Sequence, residues 1–390
     1  MKLKICLILV LIIPSLSIFA DGISDSITDF GFDLLRQVKC DDKNIIISPY
    51  SVFSALSMTA EGADDETLLQ MQNVLKLDKD ASTACRLAEL KEVLFLNAGK
   101  NIDLNIANAL WLDKQFELKE SFKQTIKNDF QAQLNQADFN EEAKTLQEIN
   151  NWVASQTNDK IPEILTELEP LSKLVLLNAI YFKGEWKYKF KKSKTDKDKF
   201  HLNSRETTQV DMMHQTSKLN YYEDDLVQAV QMKYDESSYS LLVILPRSID
   251  DMPEVLQKLD ADYFRQINEW EYRRSTINIS LPKFKIDYNR SLNEDLKTLG
   301  MSLAFSDAAD FSRINGKKDL CIGQVMHRGF IEVDEKGTEA AAATAVTMKM
   351  MSAGPPKDPI DFTADHPFIF LLQENTHNLI LFAGIVNNPR

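Results

Sequence analysis

The sequence predicts an α+β fold, with helices concentrated in the first third of the chain and strands in the remaining two thirds. Early apolar residues recur at helical spacing, whereas later apolar runs alternate with polar residues or are short and continuous. The chain has 390 residues, of which 44% are hydrophobic and 26% are charged, as in ordinary globular proteins. No low-complexity linker or internal repeat interrupts these patterns, so we predict one large domain.

The helices follow in chain order. Ile23, Ile27, Phe30, Leu34 and Val38 recur at helical spacing and predict an opening helix. A short β-branched strand, NIIIS, comes next, and a proline then starts a second helix at a position that tolerates it. Two further helices are predicted, at residues 66–75 and 146–157.

Strands account for most of the rest. The run LVLLNAIYF, residues 174–182, is continuously apolar and predicts a central strand buried on both faces. The other predicted strands alternate or are shorter, and they span residues 102–112, 239–246, 275–286, 367–372 and 379–386.

The first twenty residues have the pattern of a secretory signal peptide. A basic start, MKLK, precedes an apolar run too short to span a membrane, and a small residue, Ala20, ends the segment. We therefore expect cleavage near Ala20 and a secreted, extracellular protein. Two glycosylation sequons fit this route: Asn289, expected just after a strand, is the better candidate, and Asn278, expected inside a strand, is the weaker one.

Cysteine content and charge exclude several classes of protein. Without Cys6, the mature chain has three cysteines, Cys40, Cys85 and Cys321, which allow at most one disulfide. The net charge of −13 argues against nucleic-acid and anionic-membrane partners. Enzyme signatures such as GxSxG, HExxH and glycine-rich phosphate loops are absent, and no histidines have metal-ligand spacing. We expect no enzyme activity, no cofactor and no metal.

Several segments resemble, in the same order, segments of the serpins, a family of serine protease inhibitors. They are NIIISPYSVFSALSMTAEGADDETLLQM, INNWVASQTNDKI, LVLLNAIYFKGEW, LPKFKI, GQVMHRGFIEVDEKGTEAAAATAV and DHPFIFLLQENTHNLILFAGIVNNP. The resemblance implies a single serpin domain over residues 21–390, with three β-sheets, eight to nine helices and an exposed reactive-centre loop at about residues 335–360. It also implies a monomer that traps a serine endopeptidase as an acyl-enzyme.

The alanine-rich segment that begins at Gly337 resembles the hinge of this loop, which becomes a strand of the central sheet after cleavage. With a period of two from Thr338, one face is uncharged, whereas Glu339 and Lys349 both fall on the other face, which we expect to meet water. The absence of proline suits a new strand. The hinge residues implied by the resemblance are Glu335, Gly337, Thr338, Glu339, Ala340, Ala341, Ala342, Ala343 and Thr344.

The resemblance places the cleaved bond sixteen residues after Glu335, between Met351 and Ser352. A methionine there suits the apolar pocket of an elastase- or chymotrypsin-like protease. Met350 would give a similar preference, whereas Lys349 would make the protein a trypsin-type inhibitor.

Two further groups of residues follow from the resemblance. The shutter, a buried polar cluster under the sheet, corresponds to Ser48, Ser51, Asn178 and His327. The breach, at the top of the sheet, corresponds to Trp186, Lys283 and Glu335, with an ion pair between the last two. The region that is basic in glycosaminoglycan-binding members is poor in cations here, so heparin-type activation is not expected. Two alternatives stay open: a non-inhibitory carrier or storage serpin, and inhibition of cysteine proteases.

Overall fold

The computed structural model describes residues 13–38, 43–77, 83–169, 172–269, 274–338 and 358–390. Ten α-helices lie within these ranges. They are α1 (Ile13–Val38), α2 (Pro49–Ala60), α3 (Asp65–Val74), α4 (Thr83–Asn97), α5 (Glu120–Gln124), α6 (Glu142–Gln156), α7 (Met252–Lys258), α8 (Ala261–Asn268), α9 (Asn293–Leu296) and α10 (Ser312–Asn315). Helix α1 begins before Ala20, so the predicted cleavage site lies within it.

Fifteen strands are formed by the same residues. They are β1 (Ile45–Ile47), β2 (Ile102–Asp113), β3 (Gln133–Ala137), β4 (Leu174–Glu185), β5 (Thr195–His201), β6 (Thr207–Glu223), β7 (Val227–Lys233), β8 (Tyr239–Pro246), β9 (Arg274–Pro282), β10 (Phe284–Ser291), β11 (Ile322–Val333), β12 (Gly337–Thr338), β13 (Ile360–Thr363), β14 (Phe368–Glu374) and β15 (Leu379–Val386).

The strands form two hydrogen-bonded sheets. The smaller sheet has six strands in the order β10-β11-β12-β4-β2-β3, and the larger has nine, in the order β1-β15-β14-β8-β7-β6-β9-β13 with β5 paired to β6. Three sheets are expected from the sequence. Only two continuous ones form in the described residues because the 17-residue strand β6 pairs with β7 near one end and with β9 and β5 elsewhere.

The main core fills the space between the two sheets and helices α1 and α2. Every residue of α2 is buried, so this helix carries no charged side chain and only small hydroxyl residues as polar ones. A second, smaller core lies beneath α6, where Ile149 and Val153 pack on Val175 and Leu177 of β4. As predicted, residues 174–182 are buried on both faces of the sheet.

The surroundings of the two sequons differ. Asn278 is half-buried in β9, where its side chain bonds with Thr216 and Asp361. Asn289 is exposed, but it lies inside β10 rather than after a strand, because the ladder with β11 continues to the Ser291–Met326 pair. Over the described part of the chain, no helix combines the length and the apolar character needed to cross a membrane.

Candidate functional site

The six-stranded sheet is split at one end by the two-residue strand β12. Below the split, β4 and β11 pair directly and in parallel, from Leu174–Ile322 to Ile180–Gly329. Above it, β12 lies between them and is antiparallel to both: Thr338 pairs with Gly184 of β4 and with Val333 of β11. A continuation of β12 in the same direction would therefore run between β4 and β11.

A tight turn at residues 334–336 connects β11 to β12 and leads the chain between β4 and β11. The Asp334 side chain accepts hydrogen bonds from the backbone amides of Lys336 and Gly337, at 2.7 and 3.2 Å. The backbone at Gly337 approaches β4 so closely that an added Cβ would lie 2.0 Å from the carbonyl oxygen of Gly184. Only glycine fits this contact, which gives the predicted hinge glycine a steric reason.

Thr338 is fully buried, so its face of β12 points into the core. Its hydroxyl lies 2.6 Å from the hydroxyl of Tyr234. The Tyr234 ring stacks on Trp186, with ring centroids 4.6 Å apart. The indole N–H of Trp186 in turn donates to the Asp334 carbonyl at 2.9 Å, so Trp186 and Tyr234 together support the turn and Thr338.

The three predicted breach residues come together beside this turn. Lys283 Nζ lies 3.1 Å from Glu335 Oε2, and Thr195 donates to the other carboxylate oxygen at 2.9 Å. Burial favours the neutral form of Glu335, but hydrogen bonds from its own backbone, Lys283 and Thr195 outweigh burial and hold its pKa below the ordinary value. The carboxylate is therefore charged at neutral pH and fixes the backbone next to Gly337.

The shutter residues meet lower in the same sheet, where β4 and β11 are still paired. Asn178 and His327 are opposite each other, and His327 Nδ1 lies 2.6 Å from Asn178 Oδ1. The Asn178 amide donates to Ser51 and to Asn108, the latter at 2.8 Å. Ser48 stands at the edge of this cluster as the N-cap of α2, where its hydroxyl accepts from the Ser51 amide.

The cluster specifies the charge state of His327. Because Asn178 uses its amide nitrogen as the donor to Ser51 and Asn108, its oxygen accepts from His327, which places the proton of the neutral ring on Nδ1. Burial lowers the pKa of His327 to about 4, although the backbone of Ile46 opposes this shift. The ring is fully buried and neutral at physiological pH.

One expectation about the loop needs correction. The face that carries Glu339 and Lys349 is expected to meet water, but the corresponding face of β4 is covered by α6. Val175, Leu177 and Ala179 are fully buried there. A strand that continues from β12 would therefore be enclosed on both faces along the stretch covered by α6.

Three partners in these sites are absent from the sequence-based prediction. They are Asn108 in the shutter, Tyr234 under Thr338, and Thr195 at Glu335. Asn108 could have been found from the sequence. It is separated by even numbers of residues from Leu104, Leu110 and Leu112, so it lies with them on the inward face of an alternating strand. Tyr234 and Thr195 could not have been found in this way, because their partners are more than 100 residues away.

The remaining predicted residues lie outside the described part of the chain. These are the hinge residues from Glu339 to Thr344, together with Lys349, Met350, Met351 and Ser352. Cys40 is also outside it, whereas Cys85 is exposed on α4 and Cys321, half-buried, precedes β11.

Comparison with known proteins identifies the fold. A sequence model of the serpin family of serine protease inhibitors matches residues 25–389. A leukocyte elastase inhibitor of Xenopus tropicalis is 35% identical over 380 residues, covering 95% of this chain and 100% of the relative.

Solved structures give the same result. Serpin48 of the insect Tenebrio molitor superposes with a TM-score of 0.83 at 30% identity, covering 95% of this chain and 98% of that one. Human thyroxine-binding globulin, solved with bound thyroxine, superposes with a TM-score of 0.84 at 28% identity, covering 95% of this chain and 99% of that one. The chain described here belongs to the serpin family of serine protease inhibitors.

Proposed function

We propose that this protein is a secreted, single-use inhibitor of serine endopeptidases. The observation that carries the proposal is β12: the chain that leads into the reactive loop already lies between β4 and β11 and is antiparallel to both. Below β12, these two strands make direct contact only through a parallel ladder that ends at Ile180 and Gly329. Cleavage of the loop would free its N-terminal part to extend β12 along this path.

The register of β12 specifies where each loop residue would go. Counted from the Thr338–Gly184 and Thr338–Val333 pairs, Ala340 would lie between Phe182 and Ile331. Both neighbours are buried, so this position suits a small apolar side chain.

If the strand continued in the same register, Thr344, six residues after Thr338, would lie between Asn178 and His327. Insertion to this point breaks the hydrogen bond between Asn178 and His327. A hydroxyl at position 344 supplies a replacement partner for either side chain. The shutter is therefore a closed polar contact that the inserting strand opens and then repairs.

The cover that α6 provides over one face of the sheet explains why alanines also occupy the odd-numbered positions of the loop. Ala341, Ala343 and Ala345 would be directed towards α6 as the strand passes beneath it, and small side chains limit the displacement that α6 must make. The two charged residues of this face, Glu339 and Lys349, lie at the ends of the inserting segment.

Inhibition follows from the length of the strand. A serine protease attacks the carbonyl of Met351 and forms an acyl bond to it, while Ser352 becomes the new amino terminus. Fourteen inserted residues span about 45 Å, so the tethered protease is carried along the sheet. Distortion of its catalytic residues then stalls hydrolysis of the acyl bond, because a displacement of about 1 Å already slows such chemistry strongly.

The cellular context belongs to the same proposal. Removal of residues 1–20 would release a single domain, residues 21–390, to the outside of the cell as a monomer. Asn289 is exposed, with one hydrogen bond from its amide nitrogen to the Ile164 carbonyl, and is the better acceptor for a glycan. Asn278 is half-buried, and both polar ends of its side chain are engaged within the sheet. Elastase- and chymotrypsin-like enzymes are the preferred targets, with trypsin-like enzymes as the alternative through Lys349.

A protease panel tests this function. The full chain, expressed with its own leader, is incubated with elastase, chymotrypsin, trypsin and a papain-type cysteine protease. We expect an SDS-stable complex with elastase or chymotrypsin, whose mass is the sum of the protease and the inhibitor lacking its C-terminal peptide. Loop cleavage by every protease without any stable complex would instead support a non-inhibitory serpin, the class to which a carrier such as thyroxine-binding globulin belongs.

A further inference from the structure

A cavity of about 130 Å³ lies at the junction of α2, α4, β2, β3 and α6, apart from the reactive loop. Four of the residues that line it, Tyr50, Met58, Leu87 and Phe130, are apolar or aromatic and buried. Polar residues, among them Ser54, Asn108 and Gln156, make up much of the rest of the lining. The exposed residues Gln131 and Gln133 form its rim. The cavity is therefore a recess with both polar and apolar lining, open to the solvent on one side.

Lys91 brings a positive charge into this recess. Its Nζ donates one hydrogen bond, at 2.9 Å, to the carbonyl oxygen of Gln131. In the part of the chain that the structure describes, Lys91 forms no ion pair. Burial lowers the pKa of Lys91, which agrees with a half-buried amine that lacks a carboxylate partner. Among the described residues, two of its three N–H donors have no acceptor, so the described lining leaves this cation unneutralised.

We propose that this cavity binds a small organic carboxylate, with the anionic group on Lys91 and the apolar body against Met58, Leu87 and Phe130. The cavity volume of about 130 Å³ suits a ligand built around one aromatic ring, because a cavity of about 150 Å³ accepts benzene. The charge supports the anion, because a desolvated ammonium gains most from a charge-assisted hydrogen bond. A polyanion would find one cation here and no others among the lining residues.

The rim provides polar contacts for the carboxylate oxygen that Lys91 does not bind. Gln133 accepts a hydrogen bond from the Trp152 indole through its side-chain oxygen, which leaves its NH₂ group available as a donor. Asn108, a member of the shutter cluster, also lines the cavity. A ligand in the cavity would thus lie beside a β2 residue that belongs to the shutter, although its binding does not depend on inhibitory function.

The site is tested with phenylacetate as the probe and phenylacetamide as its uncharged analogue, by calorimetry on the full chain. We expect phenylacetate to bind with one-to-one stoichiometry, at least about tenfold more tightly than phenylacetamide. Lys91→Met should lose at least about tenfold in affinity, and Lys91→Arg should retain most of it. Lys317→Met, which removes an exposed lysine outside the cavity, is the matched control and should bind as the unmodified protein does.

Location is tested separately by methyl NMR on methionine-labelled protein. The Met58 methyl signal, assigned with Met58→Leu, should shift during the phenylacetate titration because the aromatic ring lies against it. Absence of binding at 10 mM (about the weakest useful affinity), equal affinity for the amide, unchanged affinity in Lys91→Met, or a shift confined to other methionines would each overturn the proposal.

Discussion

Asn178 and His327 face each other across the parallel strands β4 and β11, with 2.6 Å between Asn178 Oδ1 and His327 Nδ1. This hydrogen bond joins the two strands that a continued β12 would have to separate. Because the bond to Asn178 requires the Nδ1 proton, the contact excludes the neutral tautomer that carries its proton on Nε2. Full burial of His327 disfavours the charged ring. The stability of the closed sheet and the chemistry of one histidine are therefore coupled.

The first prediction is a dependence of stability on pH that comes from His327. Its pKa is about 4 in the folded protein, against 6.5 ordinarily, so above pH 6.5 the ring is neutral in both states and contributes no slope. Between pH 6.5 and 4 the unfolded state takes up a proton that the folded state does not, so stability falls as pH falls, by about 3 kcal/mol in total. Urea denaturation between pH 7 and 5 measures the slope.

His327→Gln separates this effect from other titrations. The variant should be less stable at pH 7 but should lose much of the slope between pH 6.5 and 5. His201→Gln is the control, because the His201 side chain is exposed and should leave the slope unchanged. If His327→Gln retained the full slope, the assignment to His327 would be wrong.

The second prediction concerns the ion pair at the top of the sheet. Lys283→Met removes the cationic partner of a carboxylate that is only 4% exposed, and should lower the free energy of unfolding by about 1–2 kcal/mol at pH 7. The loss should shrink as the pH falls far enough to protonate Glu335, because protonation removes the unpaired charge.

Lys285→Met is a matched control for this pair. Lys285 and Glu332 are 3.9 Å apart, and both side chains are largely exposed, so the change should stay within about 0.5 kcal/mol. If Lys283→Met and Lys285→Met lowered the free energy of unfolding equally, the burial of Glu335 would not make its ion pair more stabilising than an exposed one.

The third prediction concerns the hinge. Ala340→Arg would place a charge between Phe182 and Ile331 on the buried face, at a cost of several kcal/mol while it stays unpaired. Insertion should slow, so the protease should hydrolyse the acyl bond and leave cleaved protein without a complex. Ala353→Arg makes the same substitution on the C-terminal side of the proposed cut and should still form complexes. Stoichiometric complex formation by Ala340→Arg, measured by SDS gel, would refute insertion through this register.

The fourth prediction concerns specificity. Mild oxidation converts methionine to a polar sulfoxide that fits an apolar protease pocket poorly. If Met351 is the recognised residue, oxidation should weaken inhibition of elastase or chymotrypsin, and mass spectrometry should identify a released peptide that begins at Ser352. A stable trypsin complex, a peptide that begins at Met350 and insensitivity to oxidation would instead identify Lys349.

Most of the architecture was predictable because it depends on local pattern. The continuous apolar run of residues 174–182 predicts a buried strand, and β4 has these properties. Which face of the strand α6 covers was not predictable. Counting with a period of two separates the two faces of a strand, but it does not tell which face another helix covers. The Tyr234 contact with Thr338 also required the folded chain, because tyrosine in a strand usually indicates packing and its partner is 104 residues away.

The central claim is that the cleaved loop becomes a strand between β4 and β11, and the melting temperature after cleavage tests it most directly. The loop is cut with a protease that is not trapped, and intact and cleaved proteins are compared by calorimetry. A full ladder of new backbone hydrogen bonds should raise the melting temperature by at least about 10 °C. An unchanged or lower melting temperature after cleavage within residues 345–355 would contradict the account.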